Sequence, residues 1–351
     1  MYFNFKKLTK IILTNSLILV VFVILVELFF GYWFDKNNLG PYMREHRMKN
    51  QAITYKYDNK IYNYNYKKNY YGFRGEDINL ENIEGVVMGG SAIDERYKPE
   101  EFTITGYLNK NLKNNNYKIK LINAGIEGQS TVGIIYNFRN WFPKLKNFSP
   151  KIILVYIGTN DGGIKKDFNL NNLSQDGHVK NPDNFEAFFD NIKSKSFLYD
   201  SARIFKYKNL PKKTFKMYDG NADVYSKNKF RYINYEEAVA NYNIKELKKR
   251  YEKKIKNYLS RVDIIYESAK KINSNPIFIT SVGNFGHKKR IFILNYSLIA
   301  HCKNKKYNCI DLAKKLKGKF NYWRSDGHTT QEGSKIIADL IMEDLIYFIK
   351  K

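Results

Sequence analysis

The feature that most restricts the fold of this chain is an apolar run, Ile-Ile-Leu-Val-Tyr-Ile, which ends at residue 157 and is followed by Gly-Thr-Asn-Asp-Gly. A short, continuous apolar run bounded by turn residues is typical of a strand that is buried on both faces. Comparable runs lie at residues 83–88, 118–122, 276–280 and 309–312. Because segments with helical spacing separate them, the pattern predicts a parallel sheet with helices on both of its faces.

The segments between the predicted strands are expected to be helices, at residues 101–111, 131–142, 235–272, 290–302 and 331–349. The last of these carries an apolar stripe at helical spacing, which a helix that closes a core requires. The residues of the stripe are Ile336, Ile337, Leu340, Ile341, Leu345 and Ile346.

The N-terminal apolar stretch, residues 11–34, predicts a membrane anchor. A helix of this span is about 36 Å long, enough to cross a ~30 Å hydrocarbon layer with some tilt. Lys6, Lys7 and Lys10 precede the stretch, and the positive-inside rule therefore predicts a cytoplasmic N-terminus and an extracytoplasmic remainder, periplasmic or at the cell surface. A cleaved signal peptide is the rival interpretation, but the run is long and no small-residue cleavage site closes it. Glu27 lies near the predicted outer end, where a carboxylate costs less than at mid-bilayer.

The expected organisation is a cytoplasmic tail at 1–10, the anchor at 11–34, a juxtamembrane linker at 35–68 and one catalytic-type domain at 69–351. The linker is of low complexity, although its alternating tyrosines would also suit short strands. An insert at about 163–234 interrupts the domain and contains a predicted helix at 185–205. Both a lid or substrate platform and a plain surface loop remain open for this insert.

The formal net charge of +26 raises the question of nucleic-acid binding. The lysines are scattered among asparagines, and no recognisable nucleic-acid module accompanies them, so we expect no nucleic-acid partner. A basic surface attracted to anionic lipid or acidic glycan is favoured instead. Cys302 and Cys309 fit no zinc pattern, and the choice between one extracytoplasmic bridge and two buried thiols stays open.

Polar stretches follow the predicted strands at the same edge of the sheet. In a right-handed parallel sheet the strand C-termini share one edge, so Ser91, Gly128 and Asn160 are expected to converge. Acyl transfer to a serine needs a hydroxyl, a base, an orienting group for the base and donors for an oxyanion. Ser91 offers the hydroxyl, His328 the base and Asp326 the orienting carboxylate, while Asn160 and the Gly128 backbone offer the donors.

Four motifs in this order resemble the blocks of the SGNH (GDSL-type) hydrolase superfamily. They are Gly-Gly-Ser at 89–91, Asn-Ala-Gly-Ile-Glu-Gly at 123–128, Gly-Thr-Asn-Asp at 158–161 and Asp-Gly-His-Thr-Thr-Gln-Glu-Gly at 326–333. Gly-Phe-Arg-Gly at 72–75 is similar to the lead-in of membrane-anchored members. Each motif is weak alone, and the four together are a specific signal.

The resemblance implies a flavodoxin-like three-layer α/β/α sandwich with a five-stranded parallel sheet, preceded by one transmembrane helix. It implies a catalytic triad of Ser91, His328 and Asp326, and an oxyanion hole of Ser91 N–H, Gly128 N–H and the Asn160 side chain. One departure stands out. The family usually places the aspartate three residues before the histidine, whereas Asp326 is two before it and Ser325 occupies the expected place.

Competing assignments are weaker. Ser130 is expected to cap the helix that begins at residue 131 rather than to act as a nucleophile, and Asp94 and Asp161 are expected to be structural. No Gly-x-Ser-x-Gly elbow is present, which argues against a lipase-type α/β-hydrolase. The remaining histidines are expected to be solvated or capping; they are His46, His178, His287 and His301. We expect no metal and no nucleotide cofactor.

The sequence therefore predicts a membrane-anchored serine esterase that acts on acyl esters, with O-acyl groups of cell-surface polysaccharide as the favoured substrate. The alternatives are an O-acyltransferase, a lipid esterase or thioesterase on the same site, or a catalytically inactive glycan-binding module of the same fold. The acyl group, the acceptor and the oligomeric state do not follow from the sequence.

Overall fold

The computed structural model describes residues 5–34, 50–57, 60–69, 71–76, 78–164, 188–189, 192–193, 195–209, 215–218, 230–325 and 327–350. In chain order, its elements are α1 (Phe5–Phe30), β1 (Asn50–Tyr57), β2 (Lys60–Lys67), β3 (Gly85–Met88), α2 (Ser91–Asp94), α3 (Ile104–Asn114), β4 (Leu121–Asn123), α4 (Thr131–Tyr136), β5 (Ile152–Ile157), α5 (Thr159–Gly163), α6 (Phe197–Asn209), β6 (Phe215–Tyr218), α7 (Tyr235–Asn241), α8 (Ile244–Arg250), α9 (Glu252–Lys271), β7 (Asn275–Thr280), α10 (Lys289–Lys305), β8 (Asn308–Ile310), α11 (Leu312–Lys315), β9 (Trp323–Ser325), β10 (His328–Thr329) and α12 (Gln331–Lys350).

The central sheet has five strands in the order β4-β3-β5-β7-β8, and all neighbouring pairs are parallel. This is the flavodoxin-like order, in which the chain reverses its direction of winding between the first and third strands. The predicted fold class is thereby confirmed. Because ligands bind outside the carboxyl ends of the strands at such a switch point, the space between the ends of β3 and β5 is the expected site.

The two faces of the sheet are covered by different sets of helices. On β5, Ile153, Val155 and Ile157 pack with α4, α9 and α10, while Leu154 and Tyr156 pack with α3 and α12 on the other face. This alternation follows from the two-residue period of a strand. Both faces are apolar because helices bury both, which explains why the strand sequence is a continuous apolar run.

The stretch at 35–68, expected to be a linker, contains a β-hairpin at its C-terminal end. β1 and β2 pair antiparallel, and β6 from the insert adds to β1 in parallel. The alternating tyrosines of β2 supply the cause, because Tyr62 and Tyr64 are half-buried and Tyr66 is buried on one face, while the residues between them are exposed. The two-residue period is thus a strand signal rather than low complexity.

The long helix expected over 235–272 is divided into α7, α8 and α9. The first break lies at Tyr242 and Asn243, and the Asn243 side chain accepts a hydrogen bond from Glu246 N at 3.1 Å and so caps α8. The second break lies at Tyr251. The Asn-x-x-Glu pattern is a helix start signal within an otherwise helical sequence. In the insert, α6 at Phe197–Asn209 overlaps the second half of the helix expected at 185–205 and ends four residues later. Of the expected helix, residues 185–187, 190–191 and 194 lie outside the described residues, and residues 188–189, 192–193 and 195 are helical.

α1 is long and apolar enough to cross a membrane, and the residues in its middle are exposed. Cys302 and Cys309 form a disulfide bond, which joins the end of α10 to β8.

Candidate active site

Ser91 is the first residue of α2 and follows β3 across two glycines. The N–H groups of the first helical turn have no partner within the helix, so the Ser91 amide lies among donors available to an anion. Gly89 and Gly90 are required by space. A Cβ on Gly89 would lie 2.7 Å from Ile93 Cγ1, and one on Gly90 would lie 2.2 Å from Asn160 Nδ2.

A small cleft of about 30 Å³, here called the Ser91 cleft, opens at the carboxyl ends of β3, β5 and β7. Its position is the switch point of the sheet. The described residues that line it are Gly90, Ser91, Ala92, Gln129, Tyr156, Ile157, Gly158, Thr159, Asn160, Asp161, Ser281, Val282 and Gly327. Ser91 and Asn160, predicted from separate motifs, therefore share one cleft.

Asn160 lies in α5, directly after the sharp turn that ends β5. Gly158 makes this turn with φ = +124°, a conformation that favours glycine. The loop is held from β7, since Thr159 N donates to Ser281 Oγ at 3.0 Å and Ser281 Oγ donates to Ile157 O at 2.9 Å. Asn160 Nδ2 donates to Gln129 O at 2.8 Å. This bond fixes the amide at the wall of the cleft, where it can also donate to an oxyanion.

Gly128 adopts φ = +76° in the turn before Gln129. Among the described residues, Gln129 lines the Ser91 cleft and Gly128 does not. The same motif is tied to the Ser91 turn, because Asn123 Nδ2 donates to Ile93 O at 2.6 Å and Gly125 N donates to Asn123 Oδ1 at 2.8 Å. A hydrogen bond thus joins the two motifs.

His328 lies on β10, which pairs with β9 so that Ser325 is opposite His328. This pairing leaves two residues, Asp-Gly, between them, a composition typical of a two-residue hairpin turn. Asp326 lies outside the described residues. Gly327 lines the Ser91 cleft, and α2 lies against β10, which brings the histidine strand to the serine helix.

The environment of His328 favours the neutral imidazole. Burial lowers the pKa of His328 below its usual value, and the positive charges of Arg324 and Lys98 lower it further, while Glu95 opposes them. Tyr97 packs edge-on against the imidazole with ring centroids 5.6 Å apart. A neutral imidazole at neutral pH is the form that can accept a proton from a hydroxyl.

A buried polar network ties the serine helix to the histidine strand. Glu95 ends α2 with φ = +42°, and its Oε1 accepts hydrogen bonds from Lys98 Nζ at 2.8 Å and Thr329 Oγ1 at 2.9 Å. Lys98 Nζ also donates to Thr330 O at 3.0 Å, and Ser334 Oγ donates to Glu95 at 2.6 Å. Since Thr329 is adjacent to His328, this network links the His328 strand to the Ser91 helix.

A second buried group lies on the other side of α2. Lys68 Nζ is 3.0 Å from Asp94 Oδ1 and donates to Gly125 O at 2.6 Å, and Tyr66 Oη donates to Asp94 at 2.7 Å. Arg74 donates to the carbonyls of Asp94 and Lys98. Burial alone would raise the pKa of Asp94, but Lys68, Tyr66 and Arg74 outweigh it and hold that pKa below its usual value. The end of the β1–β2 hairpin thus reaches the Ser91 helix through Tyr66 and Lys68, which both contact Asp94.

Asp161 supports the loop that carries Asn160. It accepts hydrogen bonds from Thr131 Oγ1 and, at 3.4 Å, from Arg261, while Arg261 Nε donates to Thr131 Oγ1 at 2.7 Å. Burial raises the pKa of Asp161 despite the nearby guanidinium. Its expected structural role agrees with these contacts.

No protein-family model and no curated protein matches the chain. Solved structures are similar to it in fold. One is the esterase EstA from Pseudoalteromonas sp., with 12% identity and a TM-score of 0.41 over 76% of this chain and 100% of that one. A second is a member of the lipolytic protein G-D-S-L family from Veillonella parvula DSM 2008, with 12% identity and a TM-score of 0.40 over 74% of this chain and 96% of that one. A third is the lipase/acylhydrolase from Enterococcus faecalis, with 14% identity and a TM-score of 0.40 over 75% of this chain and 95% of that one. At these identities the similarity concerns the fold, and activity must be inferred from the cleft itself.

Other predicted residues have mixed outcomes. Ser130 caps α4 by accepting from Val132 N at 3.3 Å, as predicted. His287 was expected to be solvated or capping, but it is only 1% exposed and bonds Ala313 O through Nε2. His301 pairs with Asp263 at 2.6 Å. His46 and His178 lie outside the described residues.

Sequence reasoning missed Gln129, Ser281 and the Glu95–Lys98 pair. Ser281 directly follows a predicted strand, so the strand-end rule that selected Ser91 and Asn160 would also have selected it. The Glu95–Lys98 pair gave no signal, because a charged pair three residues apart is ordinary on a helix surface. The packing of α3, β10 and α12 around it buries it.

Proposed function

We propose that this protein is a membrane-anchored serine esterase in which Ser91 is the nucleophile and His328 the general base. The observation that carries the proposal is the shared position of Ser91 and Asn160 on one small cleft at the switch point of the sheet. The contact between the serine helix and the histidine strand supports it. Asp326, from the resemblance, is proposed as the group that orients the imidazole.

In the proposed first step His328 takes the proton of Ser91 Oγ as the oxygen attacks an ester carbonyl. The carbonyl oxygen becomes negative and is stabilised by the N–H groups of Ser91 and Gly128 and by Asn160 Nδ2. Such donors contribute most when they are fixed in advance, and the Asn160 bond to Gln129 O supplies that fixation. The imidazolium then returns its proton to the leaving alcohol, and an acyl-serine remains.

In the second step His328 removes a proton from water, whose oxygen attacks the acyl-serine. Collapse of the second tetrahedral intermediate releases the carboxylic acid and returns the proton to Ser91 Oγ. A sugar hydroxyl in place of water would make the same site an O-acyltransferase. Both reactions use the same residues, so the geometry of the cleft favours neither.

The size of the cleft favours a short acyl group. A cleft of about 30 Å³ has room for about two water-sized groups, which fits an acetyl group beside Ser91. An acetylated cell-surface polysaccharide is the proposed substrate. The Cys302–Cys309 bond supports an extracytoplasmic location, because disulfides persist in oxidising compartments, and the basic N-terminus supports the orientation of the anchor.

The test is hydrolysis of p-nitrophenyl acetate, butyrate and octanoate by the full-length protein in detergent, beside Ser91→Ala and His328→Ala. We expect the acetate ester to be the best substrate and Ser91→Ala to reduce kcat to background. A fluorophosphonate probe should label the wild-type protein and leave Ser91→Ala unlabelled. Equal rates for the wild type and Ser91→Ala would refute the esterase and favour the glycan-binding module.

A further inference from the structure

The helix of the insert, α6, begins against the outer end of the anchor helix. Glu27 of α1 accepts hydrogen bonds from Phe197 N at 3.0 Å, Leu198 N at 3.1 Å and Ser196 Oγ at 2.7 Å. Trp33 Nε1 donates to the same carboxylate at 3.2 Å. The carboxylate therefore takes up the first amides of α6.

These contacts meet the needs of both partners. The first amides of a helix lack partners within the helix and favour a negative charge. Ser196 Oγ accepts from Tyr199 N at 3.0 Å, so Glu27 and Ser196 together cap the first turn. A carboxylate in an apolar helix is costly in a bilayer unless donors surround it, and α6 supplies those donors.

Further contacts surround this cap. Tyr32 N donates to Lys195 O at 2.7 Å, and the rings of Phe30 and Phe197 lie 5.4 Å apart. Glu27 is half-buried by these contacts, whereas the middle of α1 is exposed. The insert thus touches the anchor at its outer end.

An apolar stripe runs along the exposed face of α6. Leu198, Ala202 and Phe205 are four and three residues apart, which places them on one face of a helix. Leu198 is 41% exposed and Phe205 is 63% exposed. The helix also contains three basic residues, Arg203, Lys206 and Lys208, against one acidic residue. An apolar face on a basic helix is typical of helices that lie at a membrane surface.

We propose that α6 is a membrane-surface helix that docks its N-terminus on Glu27 and places Leu198, Ala202 and Phe205 in the outer headgroup region. The occupant of the stripe is lipid, because the residue that caps the helix belongs to the segment proposed to span the bilayer. This inference rests on the anchor in the proposed function and is independent of the esterase activity.

The docking also restricts the height of the active site above the bilayer. Five residues separate the end of α6 at Asn209 from β6 at Phe215, and a chain spans at most ~3.3–3.6 Å per residue, so β6 begins within about 20 Å of the helix end. β6 pairs with β1, and Lys68, which directly follows β2, pairs with Asp94 of the Ser91 helix at 3.0 Å. The esterase domain is thereby held close to the lipid surface, where membrane-proximal substrates are within reach.

The test uses the full-length protein in vesicles of phosphatidylcholine and phosphatidylglycerol, with one introduced cysteine labelled by the environment-sensitive dye NBD. Phe205→Cys reports on α6, Phe22→Cys on the anchor and Lys335→Cys on an exposed position of α12. Because interfacial helices bury their apolar face about 5–10 Å deep, nitroxide-bearing lipid should lower the emission at 205 by about twofold or more. The emission at 22 should fall likewise, and that at 335 should not.

Quenching at 22 without quenching at 205 would overturn the inference and leave the anchor intact. Quenching at neither position would overturn both the surface helix and the membrane anchor, while the esterase assays in detergent would be unaffected. Quenching at 335 equal to that at 205 would also overturn it, since α6 would then be no closer to lipid than the rest of the domain.

The role of Glu27 is tested in the labelled Phe205→Cys background. Glu27→Ala removes an acceptor of four hydrogen bonds and should reduce quenching at 205 by about half or more, with quenching at 22 unchanged. Glu27→Gln keeps an acceptor oxygen and should retain most of the effect. Full quenching at 205 in Glu27→Ala would refute the docking by Glu27.

Discussion

Replacement of Gly90 by alanine tests whether Asn160 acts as an oxyanion donor. The backbone of Gly90 has φ = −80°, which alanine adopts without strain. The added Cβ, however, would lie 2.2 Å from Asn160 Nδ2 and 2.9 Å from Gln129 O. The substitution therefore acts on the cleft rather than on the conformation of the chain.

The displacement can be worked out from these distances. Ordinary contact begins at 3.4 Å, so the amide nitrogen of Asn160 must move by about 1.2 Å, and its 2.8 Å bond to Gln129 O is disturbed. A misplacement of about 1 Å in a catalytic group can cost about a hundredfold in rate, and removal of one oxyanion donor costs about 10²–10³ in kcat. We expect Gly90→Ala to lower kcat about a hundredfold with little change in KM.

The double variant gives the sharper result. Asn160→Ala alone should also cost about a hundredfold. In that background the atom that clashes with the new Cβ is gone, so adding Gly90→Ala should cost only a few-fold more through the contact with Gln129 O. Steady-state kinetics on p-nitrophenyl acetate measure all four proteins.

Gly163→Ala is the matched control, because a Cβ at Gly163 meets nothing within 4 Å. It should retain wild-type kcat. Wild-type activity in Gly90→Ala, or a full second hundredfold loss in the double variant, would refute the placement of Asn160 as a donor.

Two further predictions concern charge. The acid limb of the pH profile of kcat/KM should have its midpoint below 6.5, the usual histidine pKa, because burial and then Arg324 lower the pKa of His328. Activity is lost as the pH falls through that pKa, and Arg324→Gln should move the midpoint upward. A midpoint that does not move in Arg324→Gln would contradict His328 as the base. Lys68→Met should lower the free energy of unfolding by about 3–5 kcal/mol in urea titrations, because it leaves Asp94 buried and unpaired. As the control, Lys335→Met breaks an exposed pair and should lower the free energy of unfolding by no more than about 1 kcal/mol. Since the pKa of Asp94 is depressed, the stabilisation by the Lys68–Asp94 pair is present above the usual aspartate pKa of about 3.9 and is lost as the pH falls through the folded pKa. If Lys68→Met stayed less stable than the wild type by the same amount down to acid pH, the Lys68–Asp94 ion pair would be contradicted.

The sequence alone determined the sheet, because burial on both faces forces continuous apolar strands and helices must connect parallel neighbours. It also placed Ser91 and Asn160 at one edge, since strand ends converge in any such sheet. The helix expected over 235–272 was wrong as a single element, because capping at Asn243 begins a new helix there. These features are local or follow from one topological rule, and local patterns are visible in a sequence.

Only the tertiary structure decided how the cleft is held. Glu95 and Lys98 look like surface charges in the sequence, and they are buried because α3, β10 and α12 pack around them. In the sequence, Glu27 is an unfavourable carboxylate in an apolar helix, and only the structure shows that the first turn of α6 donates hydrogen bonds to it. Each of these pairings joins segments far apart in the chain, and a side chain carries no local mark of a partner that packing alone brings near.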